Sequence, residues 1–249
     1  MAELTRLSIG ELEITSLEGL QYATNLKELR IWETQISDIT ALESLENLEI
    51  LDLANNKISD ITALADLEKL NYLNLHGNEI SDITSLSGLK DLSELGLKDN
   101  QLTNITALEE LEKLDWLNLV NNNISDITSL SGLVNLTILH LDNNQITDIT
   151  ALAELEKLER LDLENNEITD ISALKELPLP EMKIRLSGNR IDDESIEYLQ
   201  ENSYQVNYDT DSDGDKEQET SSYSILLISV LLLSIGLVVV YFKVRRKKD

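Results

Sequence analysis

The stretch Asn47 to Leu67, NLEILDLANNKISDITALADL, recurs nearly unchanged seven times with a fixed period of 22 residues. One position marks the period: Thr34, Asn56, Asn78, Asn100, Asn122, Asn144 and Asn166. A weaker copy precedes it, with Leu4, Leu7, Ile9, Ile14, Leu17 and Leu20 each 22 residues before Leu26, Leu29, Ile31, Ile36, Ile39 and Leu42. A last copy ends at Asn189, one residue late. A unit this short cannot bury an apolar face alone, so each copy must stack on its neighbours, and the chain is confined to a solenoid with one continuous core.

Self-similarity at this period is the signature of a leucine-rich repeat. In Leu-x-x-Leu-x-Leu the alternating apolar residues mark a short strand with one face inward. The Asn stands where the chain turns away, and its amide can satisfy backbone groups that no ladder partner reaches. The Asp-Ile-Thr-x-Leu run sends a second apolar pair, such as Ile61 and Leu64, into the same core. The sequence therefore predicts an α/β leucine-rich repeat solenoid of nine coils, with parallel strands on the concave face and short 3-10 or irregular segments on the convex face.

The chain of 249 residues contains no Cys, which removes disulfides, thiolate catalysis and thiolate metal sites. Its net charge is −27 and unevenly placed: residues 1–222 hold 46 acids against 15 Lys and Arg, and the last seven residues hold five Lys and Arg against one Asp. So acidic a body repels phosphates, and nucleic acid is not an expected partner.

Four segments follow along the chain. Residues 1–208 form the solenoid, with a C-terminal cap at 190–208 built from a short helix in Asp192–Asn202, whose Ile196, Tyr198 and Leu199 supply apolar contacts, and a last strand in Tyr204–Tyr208. No amphipathic cap helix and no signal peptide precede Leu4, so the sequence predicts either a start inside a longer protein or a first coil that caps itself. Residues 209–222, DTDSDGDKEQETSS, read as an acidic disordered stalk. There Asp209, Asp211, Asp213 and Asp215 resemble the start of a calcium loop, but the closing Glu position is Thr220, so no metal centre is expected. Residues 223–242 read as a transmembrane helix, whose uncharged core Ile225–Phe242 spans about 27 Å. The basic residues 243–249 after it place the C-terminus in the cytoplasm and the solenoid outside, at a cell membrane crossed once.

The phrase Ile-Ser-Asp-Ile-Thr-x-Leu, at Ile36–Leu42, Ile58–Leu64, Ile80–Leu86 and Ile124–Leu130, resembles the 22-residue repeats of bacterial internalin-like surface proteins. Leu17–Leu26, LEGLQYATNL, is similar to the opening repeat of such proteins. The resemblance implies a displayed solenoid that binds proteins on its concave face, in adhesion or envelope interaction. The chain departs from the family's pattern in lacking a signal peptide, a helical N-terminal cap and a Leu-Pro-x-Thr-Gly sorting signal before the apolar span. Its Leu177-Pro178-Leu179-Pro180 run lies inside the last coil and breaks the spacing. The repeats also resemble those of phosphatase-regulator scaffolds, so a tail-anchored cytoplasmic scaffold is the alternative.

Side chains alternate on a strand, so the positions six, four and two before each ladder residue face the concave side. Both Trp and both His residues of the chain fall in this set. The core is filled by the repeat's own Leu and Ile, which leaves Trp32, Ile50, Tyr72, His76, Trp116, Val120, Ile138 and His140 as an exposed apolar and aromatic strip. Aromatic anchors are what protein-binding surfaces use, and the expected ligand is a protein or peptide held chiefly by Trp116 and Tyr72. His76 and His140 lie three coils apart, roughly 14 Å, and cannot share a metal. No phosphate loop or acid–base constellation stands out, and the periodic Asp residues read as turn and cap residues. The chain is expected to be a monomer without cofactor or catalytic residues.

Overall fold

The computed structural model describes residues 3–175, 177, 182–202 and 205–208. The chain divides into two units, Met1–Thr210 and Asp211–Asp249, and the described residues all belong to the first. The stalk, the calcium-loop resemblance, the transmembrane span and the basic tail therefore lie outside the described residues. Among the described residues no helix is long and apolar enough to cross a membrane.

Each of the nine coils contributes one strand and the cap a tenth: β1 (Arg6–Gly10), β2 (Glu28–Trp32), β3 (Ile50–Asp52), β4 (Tyr72–Asn74) and β5 (Glu94–Gly96). They continue as β6 (Trp116–Asn118), β7 (Ile138–His140), β8 (Arg160–Asp162), β9 (Lys183–Arg185) and β10 (Gln205–Asn207). All ten form one parallel sheet in chain order. Each pairing from β2 to β8 is offset by 22 residues, as in Tyr72 opposite Glu94 and Trp116 opposite Ile138. The extra residue of the last repeat shifts this once, so that Arg160 faces Lys183.

Among the described residues, seven three-residue 3-10 turns run opposite the strands, the first at Leu20–Tyr22 and the regular ones at Thr-x-Leu, such as Thr62–Leu64. The Asp two residues ahead explains where they begin: Asp60 Oδ1 accepts the Thr62 N–H at 2.9 Å, and Asp38, Asp82, Asp126 and Asp148 do the same in their coils. These side chains satisfy amides that a short turn leaves open. In the last repeat the turn becomes the helix α1 (Ser172–Lys175), with Asp170 accepting from Ser172 N–H.

The strand Leu pairs, the Ile and the turn Leu make one core; Leu51, Leu53, Ile58 and Leu64 are all fully buried, as are their counterparts in each regular coil. The ladder Asn crosses between coils. Asn100 Nδ2 donates to the Leu75 and Leu97 carbonyls at 3.0 and 3.1 Å, and its Oδ1 accepts the Ile80 N–H at 3.0 Å. The same three contacts recur from Asn78 to Asn189. A strand of three residues followed by a sharp turn leaves these groups with no ladder partner, and one carboxamide supplies both donor and acceptor.

The two ends differ. In the first coil Leu4, Leu7, Ile9 and Ile14 are only partly buried, whereas their counterparts Leu29, Ile31 and Ile36 are fully so. The other end is closed by α2 (Asp193–Glu201) and β10. Asp192 caps α2 by accepting the Ser195 N–H at 2.8 Å, and Ile196 and Leu199 are its buried residues. Tyr198, expected to join them, points out instead and is exposed, with the Lys175 ammonium 4.9 Å from its ring centre.

Candidate functional site

The outward sheet face carries three columns of side chains, and the parallel register aligns each column across coils at about 4.8 Å per strand. The outermost reads Arg6, Glu28, Ile50, Tyr72, Glu94, Trp116, Ile138, Arg160, Lys183. All eight residues singled out from the sequence lie on this face, and all eight are half-buried rather than exposed. They do not form a continuous strip. Ile50 and Tyr72 are register partners, and so are Trp116 and Ile138, but Glu94 stands between the pairs. In the next columns Gly96 and Lys98 complete this polar gap, with Lys98 between His76 and Val120.

Trp32 packs against the first coil. A Cβ on Gly10 would lie 2.3 Å from Trp32 Cε2, so the indole rests directly on the backbone of β1. Gly at position 10 admits this close approach, and Trp32 covers part of the first coil. Nothing in the repeat pattern announces this except Gly10 itself, one period before Trp32.

Charged neighbours hold the aromatic residues. The Arg30 guanidinium lies 5.6 Å from the Tyr72 ring centre, a cation–π distance, and is fixed by Glu28 at 2.8 Å and Asp52 at 3.7 Å. Burial, together with the charge of Asp52, pushes the Tyr72 phenol up from its ordinary value. Trp116 meets His140 edge-on, with ring centres 6.0 Å apart and planes at 70°. His140 Nδ1 lies 2.7 Å from Asp162 Oδ2, so the imidazole that touches Trp116 is held by a carboxylate that is only 1% exposed.

Asp162 is the centre of a charge network that sequence reasoning passed over. Besides His140 it receives Arg160 Nη2 at 2.8 Å and has Arg185 Nη1 at 3.8 Å, while Arg185 Nη2 reaches Glu164 at 2.5 Å. Burial pushes the Asp162 carboxyl up, but the bonds from His140 and Arg160 outweigh it and leave it below the usual carboxylate range. Asp142 goes the other way: burial, reinforced by Asp162 and Glu164, raises it despite the Glu164 N–H that it accepts at 2.9 Å. His140, Asp142 and Asp162 are close enough to share one ion, their ligand atoms lying within 4.8 Å of one another. The oxygen of Asp162 that faces them already accepts from the imidazole and a guanidinium, which makes this an ion-pair network and not a cation cage. His76 stands apart, with Nδ1 3.0 Å from the Lys98 carbonyl and 3.4 Å from Asp99.

The charge of the whole body is distributed around this face. Residues 1–208 hold 40 Asp and Glu and 14 Lys and Arg. The three outward positions on each of β1–β9 and its exit hold six of each, and are neutral. All other positions of residues 1–208 hold 34 acids and eight cations. The acidic excess lies entirely off the sheet face.

A family model described as leucine-rich repeats in two copies matches residues 24–66, 112–154 and 135–178. No curated protein matches the chain. Among solved structures it is similar to an internalin (inlF) of Listeria monocytogenes, at 30% identity and a TM-score of 0.76, over 86% of this chain and 62% of the other, less than two thirds of its length. It is also similar to internalin C2 of Listeria monocytogenes, at 33% identity and a TM-score of 0.66, over 84% of this chain and 82% of the other. The leucine-rich repeat ectodomain of a plant membrane receptor kinase from Arabidopsis thaliana, in complex with Casparian strip integrity factor 2, shares the fold at 23% identity and a TM-score of 0.65, with 83% of this chain and 27% of that one covered.

Proposed function

The chain belongs to the internalin-like family of leucine-rich repeat proteins, and from that premise we propose that it is a non-enzymatic protein-binding module whose ligand site is the outward face of the sheet. The observation that carries this reading is the neutrality of that face within so acidic a body. A partner seated there buries matched charges and two apolar pairs, Ile50 with Tyr72 and Trp116 with Ile138. A partner seated elsewhere must desolvate or neutralise unpaired carboxylates, which is costly. Tyr72 and Trp116 are the anchors, because each is a large ring already fixed by a neighbour, and a fixed side chain loses little entropy on binding.

Display at a cell surface is part of the proposal. It rests on the family and on the apolar span Ile225–Phe242 with the basic residues that follow it. Protease added to intact cells that express the native gene digests the solenoid if it stands outside. Protection until the membrane is broken would favour the cytoplasmic scaffold.

For the binding site, Tyr72→Ala combined with Trp116→Ala is expected to weaken the partner at least tenfold, since centrally placed aromatic anchors each contribute about 1–2 kcal/mol or more. Tyr22→Ala with Val134→Ala, which removes exposed apolar groups away from the outward sheet positions, leaves affinity unchanged. The reverse pattern in a calorimetric titration would dismiss the sheet face as the site.

A further inference from the structure

The C-terminal end of the outer column differs from its middle in a way that specifies the ligand. Beyond Ile138 come Arg160 and Lys183, with Arg185 beside them in the next column. Their partners are carboxylates beneath the surface: the side chains of Asp162 and Glu164 are 2% and 17% exposed, whereas those of Arg160 and Arg185 are 42% and 40% exposed. Lys183 is exposed and makes no ion pair among the described residues. The patch is close to balanced in formal charge, yet the surface it shows is cationic. The buried Asp162 and half-buried Glu164 act as a frame that holds two guanidinium forks in place. A guanidinium so fixed is prepared to bind a carboxylate with little further loss of freedom.

On the sheet-binding reading above, we infer that the ligand is an extended peptide segment carrying an Asp or Glu side chain beside an apolar anchor, the acid lying over Arg160, Lys183 and Arg185 and the anchor over Trp116 and Ile138. The segment runs across the strands, along the outer column. Trp116 to Arg160 is two strand spacings, about 10 Å, and an extended chain rises about 3.4 Å per residue. The acid therefore falls about three residues from the residue that covers Trp116. Charge complementarity chooses the occupant: an acidic group off the sheet face of residues 1–208 meets a body with 34 acids against eight cations, and this end of the face offers two fixed guanidiniums and Lys183 beside an apolar pair, whereas at the other end Arg30 stands between Glu28 and Asp52 and leans over Tyr72.

The test uses the full 249-residue chain and a phage-displayed library of random dodecapeptides, whose members have no free C-terminus, so that only an acidic side chain can supply the carboxylate. Enriched peptides are then synthesised with amidated ends and titrated. The expected result is enrichment of Asp or Glu about three residues from an aromatic or branched apolar residue. Their affinity falls at least fivefold in Lys183→Glu, an exposed position whose substitution leaves the fold intact by circular dichroism, and falls similarly in Trp116→Ala. Peptides that bind through Trp116 without an acid, or that ignore Lys183→Glu, overturn the inference and leave the sheet-face reading standing. Peptides indifferent to both Trp116→Ala and Tyr72→Ala overturn that reading too. A library that yields no binder overturns the inference, which requires a linear segment. Self-association in sedimentation that Trp116→Ala abolishes would assign the face to a second copy of the chain and equally overturn it.

Discussion

Asn100 makes plain what one ladder residue contributes. Its carboxamide serves the carbonyls of Leu75 and Leu97 and the amide of Ile80, all inside the stack. Asn100→Ala strands these groups without water, and each unsatisfied buried group costs about 1–3 kcal/mol. Unfolding in urea is expected to show a loss of roughly 2–4 kcal/mol, and Asn100→Asp to lose at least as much, since it removes the donor and buries a charge. A loss below about 1 kcal/mol would mean that the turn relaxes to pair its own backbone. The turn carboxylates give a second prediction at this scale. Asp38, Asp60, Asp82, Asp126, Asp148 and Asp170 are all held below their ordinary range, first by the backbone N–H each accepts. Asp162 is depressed as well. A carboxyl whose folded value is depressed stabilises the fold above its unfolded value, near 3.9, and that contribution is lost as pH falls through the folded value. Asp142 has the opposite sign: its raised value favours the fold at low pH and disfavours it once pH rises past that value. Glu28, Glu110 and Asp192 are depressed too, so among the described carboxyls one opposes ten, and the melting temperature is expected to fall steadily as pH drops below about 4. A melting temperature that holds or climbs to pH 3 would contradict this reading.

Among the elements, β1 is an end strand whose Leu7 and Ile9 are only partly buried, with Trp32 from β2 laid over Gly10. Gly10→Ala puts a methyl group into the indole, so the ring must lift away. In a Trp116→Phe background, which leaves Trp32 as the sole Trp, the change is expected to shift the emission to the red and destabilise the protein by about 1–3 kcal/mol, as overpacking does. Unchanged emission would return Trp32 to the ligand face. This element also marks where the sequence stops being legible. Strands, turns and register follow from the 22-residue period, because alternation along a strand and repetition between coils together fix which residues point outward. The period also places Tyr72, Trp116 and Ile138 correctly on that face. It does not show which way an outward side chain leans. Trp32 folds back onto Gly10, His140 onto Asp162 and Arg30 over Tyr72, and each choice depends on a neighbour one or two coils away. Asp162 was passed over for the same reason: by position it is an outward, solvated acid, and it is buried only because His140, Arg160 and Arg185 close over it. The polar gap at Glu94 was readable in the column, yet a set of eight residues chosen for being apolar or aromatic omits what interrupts them.

At the scale of the whole body of residues 1–208, charge divides into a neutral sheet face and an acidic remainder. Self-repulsion of the remainder opposes the compact state and is screened by salt. The melting temperature is therefore expected to rise between 10 mM and 500 mM sodium chloride at neutral pH, whereas dominance of the surface ion pairs, such as Lys27–Glu49 and Lys113–Asp91, would make it fall. The central claim is that partners seat on the neutral face. Oxidative footprinting of the full chain, with and without its captured partner, tests this most directly. The account predicts that oxidation of Trp116 and Tyr72 drops severalfold in the complex while the exposed Tyr22 and Tyr198 react as before. Protection of Tyr22 or Tyr198 with Trp116 and Tyr72 still reactive would place the partner on another surface and contradict it.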